Sequence, residues 1–211
     1  HENERAQSMA INESELANYW VHSGMIDING VKMSKSLGNF ITAKDILSKV
    51  DPMVLRWFLL ATQYRDDVNV SDEIIESSKA ELTKIITAYK QACVKLEVND
   101  IKVDGVDEDA YKRFMDAMAD DLNTPNAYAV IFEIVKNINQ LVRVKEINFE
   151  ALGKEVNTLV RCMNVLGIVL PDMTMSDDDK KMYQEWMDAK SVKDFKKADE
   201  LRAQLSQKGI L

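Results

Sequence analysis

SDEIIESSKAELTKIITAYKQACVKLEVN, residues 71–99, sets the fold class of this chain. Ile75, Leu82, Ile85, Ile86, Tyr89 and Cys93 recur at helical spacing and mark one apolar face of a long helix that fades near Asn99. Downstream the same period returns. Tyr111, Phe114, Met115 and Met118 mark a second helix, and Asn123-Thr124-Pro125 ends it and caps a third. The third carries Ala127, Val130, Ile131, Ile134, Ile138 and Leu141; a fourth carries Leu152, Val156, Leu159, Val160 and Met163, with Gly167 as its C-cap. Helices this close in sequence predict an antiparallel bundle. Asn99 to Asp109 is the stretch that reads best as a linker.

Composition agrees. The chain has 211 residues, 46% of them hydrophobic, with only 7 Gly and 3 Pro, which suits long helices better than a sheet rich in tight turns. A net charge of -8 argues against indiscriminate nucleic-acid binding but leaves room for a local basic face. Basic residues gather at Lys32/Lys35, Arg143/Lys145 and Lys190/Lys193/Lys196/Lys197, patterns that a solvated helix face also produces. Cys93 and Cys162 form no CxxC pair and are expected as small core residues. No apolar run approaches the roughly 18 residues that span a bilayer, and no signal peptide is evident, so a cytoplasmic protein is expected. A chain that starts at His1 reads as part of a longer or processed polypeptide.

The amino-terminal region is patterned differently. Glu2 to Trp20 reads as a polar helix. Met25-Ile26-Asp27-Ile28 and Val31-Lys32-Met33 are short extended runs around Asn29-Gly30, the dipeptide suited to the positive φ angles of a type I′ hairpin turn. A short helix is expected around Lys44 to Lys49; Asp51-Pro52 then supplies an N-cap followed by proline at the first position of the next. Val54, Leu55, Trp57, Phe58, Leu59 and Leu60 make that helix apolar nearly all round, so burial between neighbours is expected. After Pro171, Ser176 reads as an N-cap with three aspartates in the first turn, and two short helices follow. The second is expected to carry Val192, Phe195, Ala198, Leu201 and Leu205 and to end at Gly209, with Gly-Ile-Leu as the possible start of a strand.

Chemistry concentrates in Lys32-Met33-Ser34-Lys35-Ser36, delivered by the hairpin and flanked by Gly30 and Gly38. Two ammonium groups and two hydroxyls on a hinged loop suit phosphoryl or nucleotidyl transfer, in which charge developing on phosphate oxygens is stabilised by positioned cations and donors. Taken alone, a Lys/Ser-rich turn is more often a solvated loop. His22 has no evident base or nucleophile partner and is expected to be structural.

The loop resembles the signature of class I aminoacyl-tRNA synthetases, and its surroundings narrow the likeness. His1-Glu2-Asn3-Glu4-Arg5-Ala6-Gln7-Ser8, Asn18-Tyr19-Trp20-Val21-His22-Ser23-Gly24 and Gly30 to Phe40 resemble successive blocks of cysteinyl-tRNA synthetases. Asp51 to Leu60 and Asp120-Asp121-Leu122-Asn123-Thr124-Pro125-Asn126-Ala127 resemble later helical blocks. The resemblance implies a ligase that activates cysteine with ATP, with Mg, and passes it to tRNA(Cys). Lys35, with Ser34 and Ser36, would contact ATP, and Lys32 would assist loop closure or tRNA contact. It also implies zinc: Glu4 matches one ligand, whereas the ligand histidine and upstream cysteines of that family have no counterpart here, nor does its His-Ile-Gly-His segment. The fold expected is therefore mainly α, divided into residues 1–45 (end of a catalytic domain with the signature hairpin), 46–72 (a stem-contact linker helix), 73–170 (a tRNA-binding bundle) and 171–211 (start of a truncated anticodon-binding domain). Arg56, Arg65 and Arg143 are candidate RNA contacts, against pairing with the many carboxylates; a monomer is expected. Two other readings are a cysteine ligase of thiol biosynthesis that joins cysteine to an amino sugar, and a helical interaction module without catalysis.

Overall fold

The computed structural model describes residues 1–211, the side chain of Lys35 excepted. It is mainly α. Helix α1 (Glu2–Asn12) precedes a hairpin of β1 (Ile26–Ile28) and β2 (Val31–Lys32). Then come α2 (Ala43–Leu47), α3 (Pro52–Leu60), a third strand β3 (Val68–Val70), and the helices α4 (Asp72–Val98), α5 (Glu108–Ala119), α6 (Thr124–Leu141) and α7 (Phe149–Val165). A final pair, α8 (Asp177–Ser191) and α9 (Phe195–Gln207), completes the chain.

The expected start signals are used. Asp51 accepts from the amides of Met53 and Val54 at the head of α3. Ser71 caps α4, Asn123 caps α6, and Ser176 with Asp179 forms a reciprocal capping box on α8. Helices α4 to α7 pack on one another around Leu82, Ile85, Phe114, Ile131, Ile134, Ile138, Leu152, Leu159 and Met163, all buried. Cys93 and Cys162 are free and buried in this core, and burial pushes their thiols up to about 11 and about 12. Helix α3 is fastened to the bundle by Trp57. Its fully buried indole stacks on Tyr128 at 3.8 Å, the Tyr128 hydroxyl donates to the Trp57 carbonyl at 2.8 Å, and the indole nitrogen donates to Glu81 at 3.2 Å. One face of α3 stays out of this contact, with Leu59 exposed.

Three sequence expectations are corrected, and one strand is added. The first helix stops at Asn12, where Glu13 takes a left-handed conformation, and Leu16, Tyr19 and Trp20 lie in irregular chain. Arg5 reaches Glu15 at 2.6 Å and Ser8 donates to the carbonyl of Ser14, so side chains of the helix fold the following segment back. Strand β3 escaped notice, since three residues beside a charged run carry too short an alternation to read. Val192 closes α8, with Asp194 capping α9. Gly209 (φ 72) ends α9 and Ile210 turns inward, its amide donating to Leu205, so these residues form a helix terminus and no strand.

The stretch expected as a linker, Asn99 to Asp109, does connect α4 to α5, and it is anchored to α7. Asn157 donates to the carbonyls of Val103 and Gly105, and Thr158 accepts from the amide of Asp107. A Cβ at Gly153 would lie 2.4 Å from the Val103 side chain, so α7 carries glycine where the segment crosses it.

Candidate functional site

The signature loop is built outward from a three-stranded sheet in the order β2-β1-β3. Strand β1 pairs antiparallel with β2 and parallel with β3, so the hairpin rests on a partner some forty residues away. Asn29 and Gly30 both have positive φ (52 and 75), as the expected tight turn requires. Asn69 and Val70 hold that turn from β3: the Asn69 side chain accepts from the amide of Gly30 at 2.8 Å, and the Val70 carbonyl accepts from Asn29 at 3.1 Å.

Beyond β2 the chain leaves the ladder at Met33, whose amide donates to Ile26, and enters a 3-10 turn at Lys35–Leu37. Asn39 clasps this loop at both ends. Its side-chain oxygen accepts from the amide of Ser34 at 2.8 Å, and its side-chain nitrogen donates to the carbonyl of Lys32 at 3.1 Å. The hydroxyls of Ser34 and Ser36 are 2.6 Å apart, and Ser34 Oγ also accepts from the amide of Ser36. Gly38 (φ 69) closes the loop and Thr42 with Asp45 forms a capping box on α2, which holds the Asp45 carboxyl below its ordinary range. Lys32 is exposed and, among the described residues, in no ion pair. Lys35 has its backbone in the turn, and its side chain lies outside the described residues.

The sheet is tied to the bundle through residues 63–67. Gly24 donates to the carbonyl of Tyr64 at 2.8 Å, and Met25 to the Asp67 carboxylate at 2.6 Å. A Cβ at Gly24 would lie 2.1 Å from the Asp66 carbonyl oxygen, so only glycine permits this approach. On the other side, Asp121 in the turn between α5 and α6 gathers the strap: its carboxylate accepts from the Tyr64 hydroxyl at 2.8 Å and pairs with Arg65 at 3.0 Å, while its carbonyl accepts from Gln63. The Tyr64 hydroxyl and then Asp121 raise the Arg65 guanidinium. Asp121 was quoted above as part of a motif with no role assigned; its left-handed backbone (φ 53) and three contacts make it the clasp between bundle and hairpin.

Glu4, the one residue of this chain implied as a zinc ligand, lies in no cluster that could hold a metal ion among the described residues. Glu4 is exposed on α1, 3.6 Å from the amino-terminal nitrogen. His1 and His22 face each other with ring centroids 4.8 Å apart beside Trp20, and they line an open hollow of about 520 Å³ with Glu2, Arg5 and Glu15. Among the described residues no group of three or more His, Cys, Asp or Glu is close enough to hold a metal ion. The side chains present among the described residues therefore do not fit a zinc site.

Of the candidate RNA contacts, Arg56 is used internally. Its guanidinium donates to the carbonyl of Leu166 at 2.5 Å and fills the space beside Gly167, where a Cβ would lie 2.7 Å from it. Arg65 is engaged by Asp121, whereas Arg143 stands exposed without an ion pair.

Residues 1–80 match the tRNA synthetases class I (C) catalytic domain, and residues 113–170 match the DALR domain. These matches mark part of a class I aminoacyl-tRNA synthetase. Cysteine–tRNA ligases are similar over the whole of the chain. That of Leuconostoc citreum is 38% identical over 218 residues, which is 100% of this chain and 46% of the relative, and that of Oceanobacillus iheyensis is 37% identical, covering 47% of the relative. That of Acinetobacter baumannii is 36% identical over 225 residues. The chain thus spans about half the length of the curated relatives it matches, and it belongs to the cysteinyl-tRNA synthetase family.

Proposed function

We propose that this chain supplies the triphosphate-contacting loop and the RNA-binding helices of a cysteine–tRNA ligase. The observation that carries the reading is the clasped loop: a rigid hairpin and the Asn39 bridge present Lys32, Ser34, the Lys35 backbone and Ser36 together at an open edge of the protein. In this reading the carboxylate of cysteine attacks the α-phosphate of ATP in line, the bond to the bridging oxygen breaks, and pyrophosphate leaves with the negative charge. Lys35, with the hydroxyls of Ser34 and Ser36, stabilises that charge as it develops, and Mg bound with ATP shares it. Lys32 closes the loop or meets the tRNA. Activated cysteine then passes to tRNA(Cys). Glu4 would contribute to zinc only together with ligands that are not on this chain.

The bundle and the α8–α9 pair act as the tRNA-holding part, with α3 as the stem-side connector, and the protein works as a cytoplasmic monomer. No helix among the described residues is long and apolar enough to cross a membrane.

The test joins these 211 residues to the part of a curated relative that has no counterpart here. Pyrophosphate exchange is then measured for the parent and for Lys35→Ala. Adenylate formation should fall by roughly 10²- to 10³-fold, the usual cost of one preorganised charge-stabilising group, while cysteine binding stays unchanged. An unaltered turnover rate would remove the loop from the chemistry. Attachment of cysteine to an amino sugar in preference to tRNA would replace the substrate assignment.

A further inference from the structure

The turn that aims the signature loop is also a chemically weak point of the main chain. Asn29 is the one asparagine of the sequence followed by glycine. Glycine has no Cβ, so nothing on Gly30 shields its nitrogen from the side chain before it. Other asparagines precede bulkier neighbours, as Asn39 does Phe40 and Asn69 does Val70.

Asn29 and Gly30 are both exposed and, among the described residues, the Asn29 side-chain amide has no hydrogen-bond partner. Asn39, Asn99, Asn137, Asn139 and Asn157, by contrast, all donate their side-chain amides to carbonyls or a carboxylate. A free side-chain amide beside an unshielded backbone nitrogen can close a ring. The Gly30 nitrogen, its proton lost to solvent, bonds to Cγ of Asn29; the Cγ–Nδ2 bond breaks, and ammonia leaves. Water then adds to one carbonyl of the resulting five-membered imide. Opening at Cγ gives aspartate, whereas opening at the main-chain carbonyl gives isoaspartate, whose backbone runs through Cβ and Cγ. One water enters, one ammonia departs, and nothing is oxidised or reduced.

A neighbouring strand restrains the step. The attacking group is the Gly30 amide, which donates to the side-chain oxygen of Asn69 on β3 at 2.8 Å, while the Asn29 amide donates to the Val70 carbonyl at 3.1 Å. A nitrogen held in that bond keeps its proton and its orientation, so attack waits until the turn leaves β3. Little burial opposes the opening, since both residues of β2 are exposed and the bond to Asn69 lies at the surface.

We infer that Asn29 is a site of spontaneous deamidation and that Asn69 guards it. Isoaspartate inserts an extra main-chain atom into a two-residue turn. The pairs Ile28↔Val31 and Asp27↔Lys32 leave no slack for it, so the register of β2 is lost and the Lys32 carbonyl is drawn from its bond with Asn39. The modification stands independently of what the chain does; only its effect on adenylate formation rests on the function proposed above.

The test uses the whole chain, held at mildly alkaline pH and sampled over days. Peptide mass spectrometry follows amide-to-acid conversion at each asparagine, with fragmentation that separates aspartate from isoaspartate. Asn29 should convert fastest, to both products, and faster as pH rises, because its attacker must first lose a proton. Asn69→Ala removes the acceptor and should speed conversion at Asn29 roughly five-fold, the weight of one hydrogen bond. Asn69→Asp keeps an acceptor and sets a negative charge against the deprotonated nitrogen, so conversion should stay at the parent's rate or fall. Conversion at Asn29 no faster than at other asparagines would overturn the site. Equal acceleration in both variants would overturn the role of Asn69, since it reports a loosened sheet and not a lost bond. In the joined polypeptide, ageing should reduce adenylate formation in step with isoaspartate content. Conversion at Asn29 in a polypeptide that forms no adenylate even when fresh would leave the site standing and refute the proposed function. Adenylate formation by a polypeptide whose Asn29 never converts would do the reverse.

Discussion

Residues 1–50 and the bundle of α4 to α7 are held by different forces. Among the described side chains of the first region, Ser8 alone is buried; Ile11, Tyr19, Val21 and Leu37 are exposed, Tyr19 to 90%. Order there comes from turns, caps and the strap through residues 63–70. The bundle, by contrast, buries a continuous apolar core and caps each helix with a side chain. The contrast places the lysine loop on the part with least burial to lose on moving, and its support on the part with most. Under the proposed function, a loop that closes over a triphosphate and reopens would benefit from that division.

The largest test of the comparison is Trp57→Ala. The indole is fully buried and closes the joint between α3 and the bundle, so truncation should cost about 3–5 kcal/mol, the range for large buried aromatic residues. Chemical denaturation should show one cooperative transition moved to lower denaturant. If the bundle transition stayed in place and only α3 and the hairpin melted early, the two regions would be energetically separate, and Trp57 would belong to the first.

How much of this could be read beforehand follows the same division. The bundle was legible because helical periodicity and N-caps are local signals: Ser71, Asn123 and Ser176 sit where their helices begin. The hairpin was legible from Asn29-Gly30. What was missed is non-local. Strand β3 exists because Val68 to Val70 find β1 some forty residues back, and no pattern within three residues announces that. The linker was legible but its anchoring was not, because Asn157 and Thr158 lie some fifty residues away. In the site, Lys32, Ser34 and Ser36 stood out by chemistry, but the Asn39 bridge and the Asp121 clasp are positioning roles that show only in space. The hold of Asn69 on the Asn29-Gly30 turn is likewise invisible from order along the chain, since it comes from another strand.

A smaller effect sharpens the account of the bundle. Glu155 on α7 is 8% exposed; its Oε1 accepts from Asn137 at 2.9 Å and its Oε2 has no partner. Burial raises its carboxyl above the ordinary 4.5, with Asp107 and Glu133 adding to the shift and Asn137 and Arg113 opposing it. A raised folded-state value means that the protonated form is favoured on folding. The stabilisation is fully present below the unfolded value and is lost as pH rises through the folded one. Glu155→Gln keeps an acceptor for Asn137 without the charge. It should raise stability near pH 8, where burial disfavours the charged carboxylate, and by nothing measurable near pH 4. A gain of equal size at both pH values would show that packing, not charge, limits this site.

The smallest effect bears most directly on the first region. Asp121 clasps Gln63, Tyr64 and Arg65 from the bundle side, yet the Arg65 pair is solvent-exposed and contributes little by itself. Asp121→Asn retains an acceptor for Tyr64 and leaves the backbone contact to Gln63, but it removes the charge that gathers the strap. Global stability should change by less than about 0.5 kcal/mol, as for most exposed pairs. Amide exchange in β1, β2 and β3 should nevertheless quicken by about two-fold, because even that small energy is a sizeable part of what holds a sheet with so little burial. In the joined polypeptide the same change should lower the rate of adenylate formation without altering tRNA affinity. Exchange that quickened equally in α4 to α7 would show that the clasp serves the bundle, and the view of Asp121 as the coupling between support and loop would fall.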